Sequence, residues 1–273
     1  PAPYWVSYVD QVKMAQGTPV IVEAKQENHF KVTVAQLEQA RTAKTKILLL
    51  NSPSNPTGMI YTRKELEEIG EWAVENDLLI LADDIYHRLV YNGAEFTAIS
   101  SLSTAIRQRT TIINGVSKTF AMTGWRIGVA VGDPEIIAAM TKIASQTTSN
   151  PTAVAQYAAI EAFRGSDTAF DQMHRAFEER LNKIYNQLLE VPGFEVVKPN
   201  GAFYLFPKVT KAMELKGFSD VAAFTTAILE EAGVALVTGE GFGSPENVRL
   251  SYATSLENLE KAVQRLKDWM NNG

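Results

Sequence analysis

Short apolar runs alternate with amphipathic stretches along the first part of the chain. Residues 19–23, 46–50, 78–83, 110–114 and 127–131 are brief and rich in Ile, Leu and Val, which is how strands buried on both faces read. Between them the period lengthens. Residues 62–77 open with a capping box, Thr62 and Glu65, and place Leu66, Ile69 and Ala73 on one helical face. Asp133 reads as the cap of another helix, with Pro134 in its first position. This strand–helix alternation predicts an α/β fold, an open and mostly parallel sheet covered by helices.

The pattern changes near residues 165–168. A long amphipathic helix is expected over 168–190, halted by Pro192-Gly193. Strand-like 195–198 and 202–206 follow, then a helix over 219–232 ending at Gly233. Strand-like 234–238 and 248–252 lead to a last helix capped by Ser255. The expected division is a large domain over 1–166, and an interdomain helix with a small α+β C-terminal domain over 167–273. No internal repeat or low-complexity linker interrupts it.

Composition narrows the function classes. The 273 residues are 45% apolar and 21% charged, ordinary for a globular chain with a substantial core. The net charge of -5 comes with no basic stripe, so nucleic acid is not an expected partner. No apolar run reaches the roughly 18 residues of a membrane span, and no membrane partner is expected. Cysteine is absent, which excludes disulfides, thiolate zinc sites and cysteine nucleophiles. A cytoplasmic protein is expected. The chain opens PAPYWVSYV, without Met or leader, like the end of a βα loop entering a helix. It is therefore expected to be a piece of a longer protein.

Three segments carry candidate chemistry. Asn51-Ser-Pro-Ser-Asn-Pro-Thr-Gly58 follows one strand and precedes a capped helix. In open α/β sheets ligands sit at such carboxyl ends of strands, although these residues also form plain turns. The next strand ends Leu81-Ala82-Asp83-Asp84-Ile85-Tyr86. An acidic pair after a buried run is costly unless partnered. It suits a metal, a helix cap or a buried cation, with Asp84 as the cap and Asp83 as the functional group. No His or third carboxylate stands nearby, so no metal is expected. The third segment is Gly115-Val-Ser-Lys118-Thr-Phe-Ala-Met-Thr-Gly-Trp-Arg126-Ile-Gly128. An amine among apolar neighbours has its charged form disfavoured and can attack a carbonyl. The guanidinium fork of Arg126 suits phosphate. His29, His87 and His174 have no metal spacing. Gly239-Glu-Gly-Phe-Gly243 lacks the full glycine pattern of a nucleotide loop and reads as a turn near Arg249.

In order and spacing these segments, with Asn247-Val-Arg249-Leu-Ser251, resemble the fold-type-I pyridoxal-phosphate aminotransferases of class I/II, the bacterial aspartate and aromatic type. The resemblance covers essentially the whole chain and implies the cofactor pyridoxal 5'-phosphate. It implies that Lys118 forms the Schiff base and later moves the substrate α-proton. Asp83 is implied to pair with the pyridine nitrogen, Tyr86 and Asn55 to hydrogen-bond the ring oxygen, and Arg126 to bind the phosphate. Arg249, helped by Asn55, is implied to grip the substrate α-carboxylate. Trp5 resembles the residue that stacks on the cofactor ring beside the substrate, and otherwise reads as a core tryptophan. The Asn55–Pro56 bond is expected to be cis.

The chain departs from the family pattern in two places. Gly115 stands where many relatives carry Ser or Thr that helps hold phosphate. The family's N-terminal part, with its phosphate loop, is expected to be missing, so that the segment alone is inactive. The resemblance implies amino transfer between an amino acid and a 2-oxo acid by a homodimer. Aspartate and 2-oxoglutarate are preferred over aromatic substrates, although residues 141–152 supply no arginine for a distal carboxylate. The alternatives are a lyase or synthase on the same cofactor and scaffold, or a non-catalytic cofactor-sensing regulator module.

Overall fold

The computed structural model describes residues 1–272. In chain order its first half holds α1 (Ser7–Met14), α2 (Val34–Ala40), β1 (Ile47–Asn51), α3 (Arg63–Glu75), β2 (Leu79–Asp83), α4 (Thr104–Arg109), β3 (Thr110–Gly115) and β4 (Gly128–Val131). Then come α5 (Pro134–Thr147), α6 (Ala153–Arg164), α7 (Thr168–Leu188), β5 (Tyr204–Leu205), α8 (Thr210–Leu215), α9 (Val221–Ala227), β6 (Val237–Thr238), β7 (Val248–Ser251) and α10 (Leu256–Asn271). By packing the chain falls into two compact units, Thr33–Pro53 with Ile60–Gln172, and Pro1–Val32 with Ser54–Met59 and Met173–Gly273. Packing thus groups the residues differently from a division by element pattern at 166/167, because the first residues and the 54–59 loop cluster with the C-terminal part.

The unit that holds most of the α/β alternation is built on a sheet of order β1-β2-β3-β4. β1, β2 and β3 are parallel and β4 is antiparallel to β3. Leu48, Leu50, Ile80 and Ala82 are buried in alternation along β1 and β2. The register sets Asn51 opposite Asp83, and Asp83 opposite Ile113. The carboxyl ends of the three parallel strands therefore share one edge. The capping box of α3 forms as expected, Thr62 Oγ1 accepting from Glu65 N at 3.3 Å and Glu65 Oε2 from Thr62 N at 2.7 Å. Its apolar face buries Leu66, Ile69, Trp72 and Ala73. Asp133 caps α5, with Pro134 at its start. α6 packs Ala155 and Ala159 on Val116 and Ile127.

In the other unit, α7 buries Phe177, Leu181, Ile184 and Leu188 at helical spacing. α10, capped by Ser255, buries Leu259, Val263, Leu266, Trp269 and Met270. Lys183 and Glu260 join the two helices at 2.6 Å. A small antiparallel sheet of order β5-β7-β6 completes the unit.

Several expected elements differ. Residues 19–23 form no strand: Glu23 makes a single bridge to Ala2, and Val20 and Ile21 are exposed. An apolar run without a partner strand cannot satisfy its own backbone. Residues 195–198 shrink to a bridge between Glu195 and Lys208. The 219–232 helix is α only over Val221–Ala227 and continues as a π turn, Ile228–Ala232, ending at left-handed Gly233. No helix among the described residues is long and apolar enough to cross a membrane.

Candidate active site

Within the sheet unit, the shared carboxyl edge gathers Asp83, Tyr86 and Lys118. Asp83 ends β2, and Asn51 Nδ2 at the end of β1 donates to its carbonyl at 2.8 Å. The side chain of Asp83 accepts from Ile85 N at 3.1 Å. Asp83 rather than Asp84 therefore closes the turn after β2, which corrects the expectation that Asp84 caps it. Asp84 instead is buried, and burial, then the charge of Asp83, pushes its carboxyl up to about 7. Tyr86 is buried.

Lys118 follows β3 in a tight turn, where Phe120 N donates to Val116 O and Ala121 N to Lys118 O, both at 3.3 Å. Val116 and Thr119 are fully buried and anchor this turn. Lys118 is half-buried, its Nζ 6.0 Å from the centre of the Tyr86 ring. Arg126 adopts a left-handed conformation after a 3-10 turn, and Nη1 donates to Thr123 O at 2.9 Å. It is exposed, on a recess of about 350 Å³ also lined by Trp125, Asn150 and Thr152.

Gly115 lies opposite Gly128, where a Cβ would come 2.7 Å from Ile127 O. The β3–β4 pair is closed there, so a side chain at 115 would require the backbone to shift. His87 is a satisfied histidine. Its Nδ1 lies 3.1 Å from both Asn114 Nδ2 and Asp84 O, and Asn114 Oδ1 accepts from Gly115 N at 2.8 Å. Burial lowers the His87 pKa, opposed by the bond to the Asp84 backbone. No local motif marks the meeting of His87 and Asn114, 27 positions apart, near the strand ends that carry Asp83 and Lys118.

In the other unit, the loop 54–59 closes on itself, Gly58 N donating to Ser54 O at 2.8 Å and Ser54 N to Met59 O at 3.0 Å. Asn55–Pro56 is cis, as expected, and so are Ala2–Pro3 and Ser52–Pro53. Asn55 is buried and accepts from Arg249 Nη1 at 2.8 Å. Arg249 stands on β7 between inward Val248 and Leu250. Its Nε is buried with no hydrogen-bond partner. Its guanidinium carbon lies 4.6 Å from the centre of the Tyr204 ring and 4.8 Å from that of Phe242. Sequence reasoning named the segments holding these two rings but gave neither a role. An aromatic seven positions before a candidate carboxylate-binding arginine was the available signal. Trp5, partly exposed, meets Tyr8 edge-on at 5.4 Å at the start of α1.

These side chains fit pyridoxal 5'-phosphate. One edge presents a carboxylate for a ring nitrogen, a phenol, and an amine for an aldehyde. A separate guanidinium has a buried, unpartnered nitrogen suited to a carboxylate. Among the described residues no group of three or more His, Cys, Asp or Glu could hold a metal.

A mostly parallel α/β sheet that presents Asp83, Tyr86 and Lys118 along one edge suits a pyridoxal-phosphate enzyme of fold type I. Residues 1–266 match the model of the aminotransferase class I and II family, and the chain belongs to that family as a pyridoxal-phosphate-dependent transaminase. Over 270 residues it is 66% identical to the asparagine–oxo-acid transaminase of Streptococcus mutans, covering 99% of this chain and 69% of that protein. The aspartate aminotransferase of Bacillus subtilis is 56% identical, with coverage of 98% and 68%. The aromatic aminotransferase of Pyrococcus horikoshii superposes with a TM-score of 0.92 at 38% identity, covering 98% of this chain and 71% of that structure.

Proposed function

We propose that the protein transfers the amino group of aspartate to 2-oxoglutarate, with Lys118 carrying the cofactor. The supporting observation is the placement of Asp83 and Lys118 after neighbouring parallel strands, with Lys118 Nζ 6.0 Å from the buried Tyr86 ring. Bound pyridoxal phosphate supplies an electron sink for the bonds at the substrate α-carbon. In this reading Asp83 holds a proton on the ring nitrogen. Tyr86 and Asn55 donate to the ring oxygen, and Arg126 neutralises phosphate charge. Trp5 covers the ring. With the cofactor bound, Lys118 Nζ would take up the proton of the substrate α-carbon, a task suited to a half-buried amine beside the Tyr86 ring. Arg249 binds the α-carboxylate through its in-plane N–H groups, held by Asn55.

The same reading assigns the cofactor to residues 1–166 and most of the carboxylate grip to 167–273, places the protein in the cytoplasm, and makes the working enzyme a homodimer. A second reading exchanges aspartate for asparagine. It is favoured by the 66% identity to a relative named for asparagine and by the absence of arginine in 141–152.

Mixing the cofactor-loaded protein with each amino acid and following absorbance separates these readings. Aspartate is expected to convert the cofactor to pyridoxamine phosphate at lower concentration than asparagine. A lyase would leave pyridoxal phosphate. Lys118→Ala is expected to abolish conversion, and borohydride reduction should fix the cofactor to the Lys118 peptide. Recovery of the label on another lysine would refute the assignment.

A further inference from the structure

The glycine-rich segment Gly239–Gly243 forms no nucleotide loop. It is a 3-10 turn, Glu240–Phe242, between β6 and β7. It is tied to the start of the chain: Tyr4 N donates to Phe242 O at 3.0 Å. Gly243, at a φ of +75, sits so near that an added Cβ would lie 2.8 Å from the Tyr4 ring. The turn is thus fixed on both sides, and it delivers Phe242, which is 1% exposed, to the guanidinium of Arg249. Phe206 and Phe30 back the Phe242 ring in an edge-on series, Phe206 at 5.9 Å from Phe242 and Phe30 at 5.7 Å from Phe206. Tyr204, on β5 next to β7, brings the second ring.

Arg249 needs such support. A long side chain loses considerable rotamer freedom on being fixed, and its one hydrogen bond to a side chain among the described residues is that of Nη1 to Asn55. Buried Nε has no partner. A single bond at one corner leaves the guanidinium free to tilt about it. An aromatic face attracts a cation with its negative quadrupole and restrains it without occupying any N–H group. The N–H edge not used by Asn55 then remains available for a ligand.

We infer that Phe242 and Tyr204 are positioning residues that hold the plane of Arg249 by their ring faces and so set its affinity for the substrate carboxylate. The inference rests on the reading of Arg249 as the carboxylate-binding residue. The aromatic faces are a selective device, because they fix the cation while leaving the two parallel N–H bonds of the fork to the carboxylate.

The test is the first half-reaction of the cofactor-loaded protein with aspartate, read by absorbance. Phe242→Leu is expected to raise the half-saturating concentration about tenfold. The limiting rate should change by less than about twofold and the cofactor spectrum should stay the same, because the residue acts on binding. Phe242→Tyr restores a ring face and is expected to restore affinity. Since Phe242 also belongs to a packed cluster, the deciding variant replaces it with pentafluorophenylalanine. That ring keeps nearly the same shape and reverses the quadrupole, so a packing role would leave affinity unmoved while the inferred role predicts the same rise. In an Arg249→Lys background, Phe242→Leu should add no more than about twofold, since coupled residues are not additive. Unchanged affinity in the fluorinated variant, with Arg249→Lys impaired, overturns the inference alone. Unchanged affinity in Arg249→Lys itself overturns both the inference and the assignment of Arg249.

Discussion

Gly58 is the position where backbone geometry and site geometry are most directly joined. It lies at a φ of +68, and an added Cβ would stand 2.6 Å from Pro199 Cβ and 2.7 Å from Gly201 O. Gly58→Ala therefore meets two penalties. A side chain at positive φ costs roughly 1–2 kcal/mol, and forced overlap with a ring carbon and a backbone carbonyl adds roughly 1–3 kcal/mol. The sum is about 2–5 kcal/mol, which for a chain of this size lowers Tm by at least about 4 °C. Gly93 provides the control. It has a φ of +74 with nothing within 4 Å of an added Cβ, so Gly93→Ala carries the first penalty alone. Urea and thermal unfolding of both variants isolate the overlap. The Gly58 N–Ser54 O bond closes the loop that presents Asn55 to Arg249, so the half-saturating aspartate concentration should rise in Gly58→Ala and hold steady in Gly93→Ala. Equal losses of stability in the two variants, with affinity unaffected, would refute the reasoning.

Two other perturbations follow from the site. Burial, with a smaller push from Asp83, raises the Asp84 carboxyl from an ordinary 3.8 to about 7. The native state holds that proton where the unfolded chain has released it, so stability falls as pH rises from about 4 to about 7 and levels off above. Asp84→Asn should flatten that fall by roughly 4 kcal/mol at most; parallel stability-against-pH curves for parent and variant would count against it. Arg249→Lys keeps the charge and loses the fork, at roughly 1.5–3 kcal/mol per charge-assisted bond. The KM for aspartate should then rise about 10- to 100-fold, with cofactor affinity unaltered by equilibrium titration.

Much of the sheet was legible because its strands are continuous apolar runs. Residues 46–50, 78–83 and 110–114 match β1, β2 and β3 to within one residue at either end. The same criterion failed at 19–23, since Pro-Val-Ile-Val has the composition of a buried strand but Val20 and Ile21 face outward. Periodicity reports what a segment is able to bury, and the partner decides whether it does. The C-terminal strands were overdrawn for a related reason. β5 and β6 are two residues each, and so short a pair is fixed by contacts distant in sequence. The capping signals of Thr62, Asp133 and Ser255 were reliable because each acts within a single turn.

The site divides along the same line between local and distant. Local reading singled out Asp83, Lys118 and Arg126 as candidates, since Asp83 ends a legible strand and the other two follow one, whereas Tyr86 became a candidate through the resemblance. Asn55 and Arg249, 194 positions apart, became candidates only through the resemblance, for nothing local to either says that they meet. Local reading missed the restraint on Arg249, because a ring seven positions away in a glycine-rich turn looks like a core residue, and Phe242 is one. The two descriptions are compatible. A ring buried on Phe206 that also presents a face to a guanidinium serves the core and the site with one set of atoms. That economy is what hides it from a reading of residue types, and it is why a variant that alters the ring's charge distribution while conserving its volume tests the role better than any truncation.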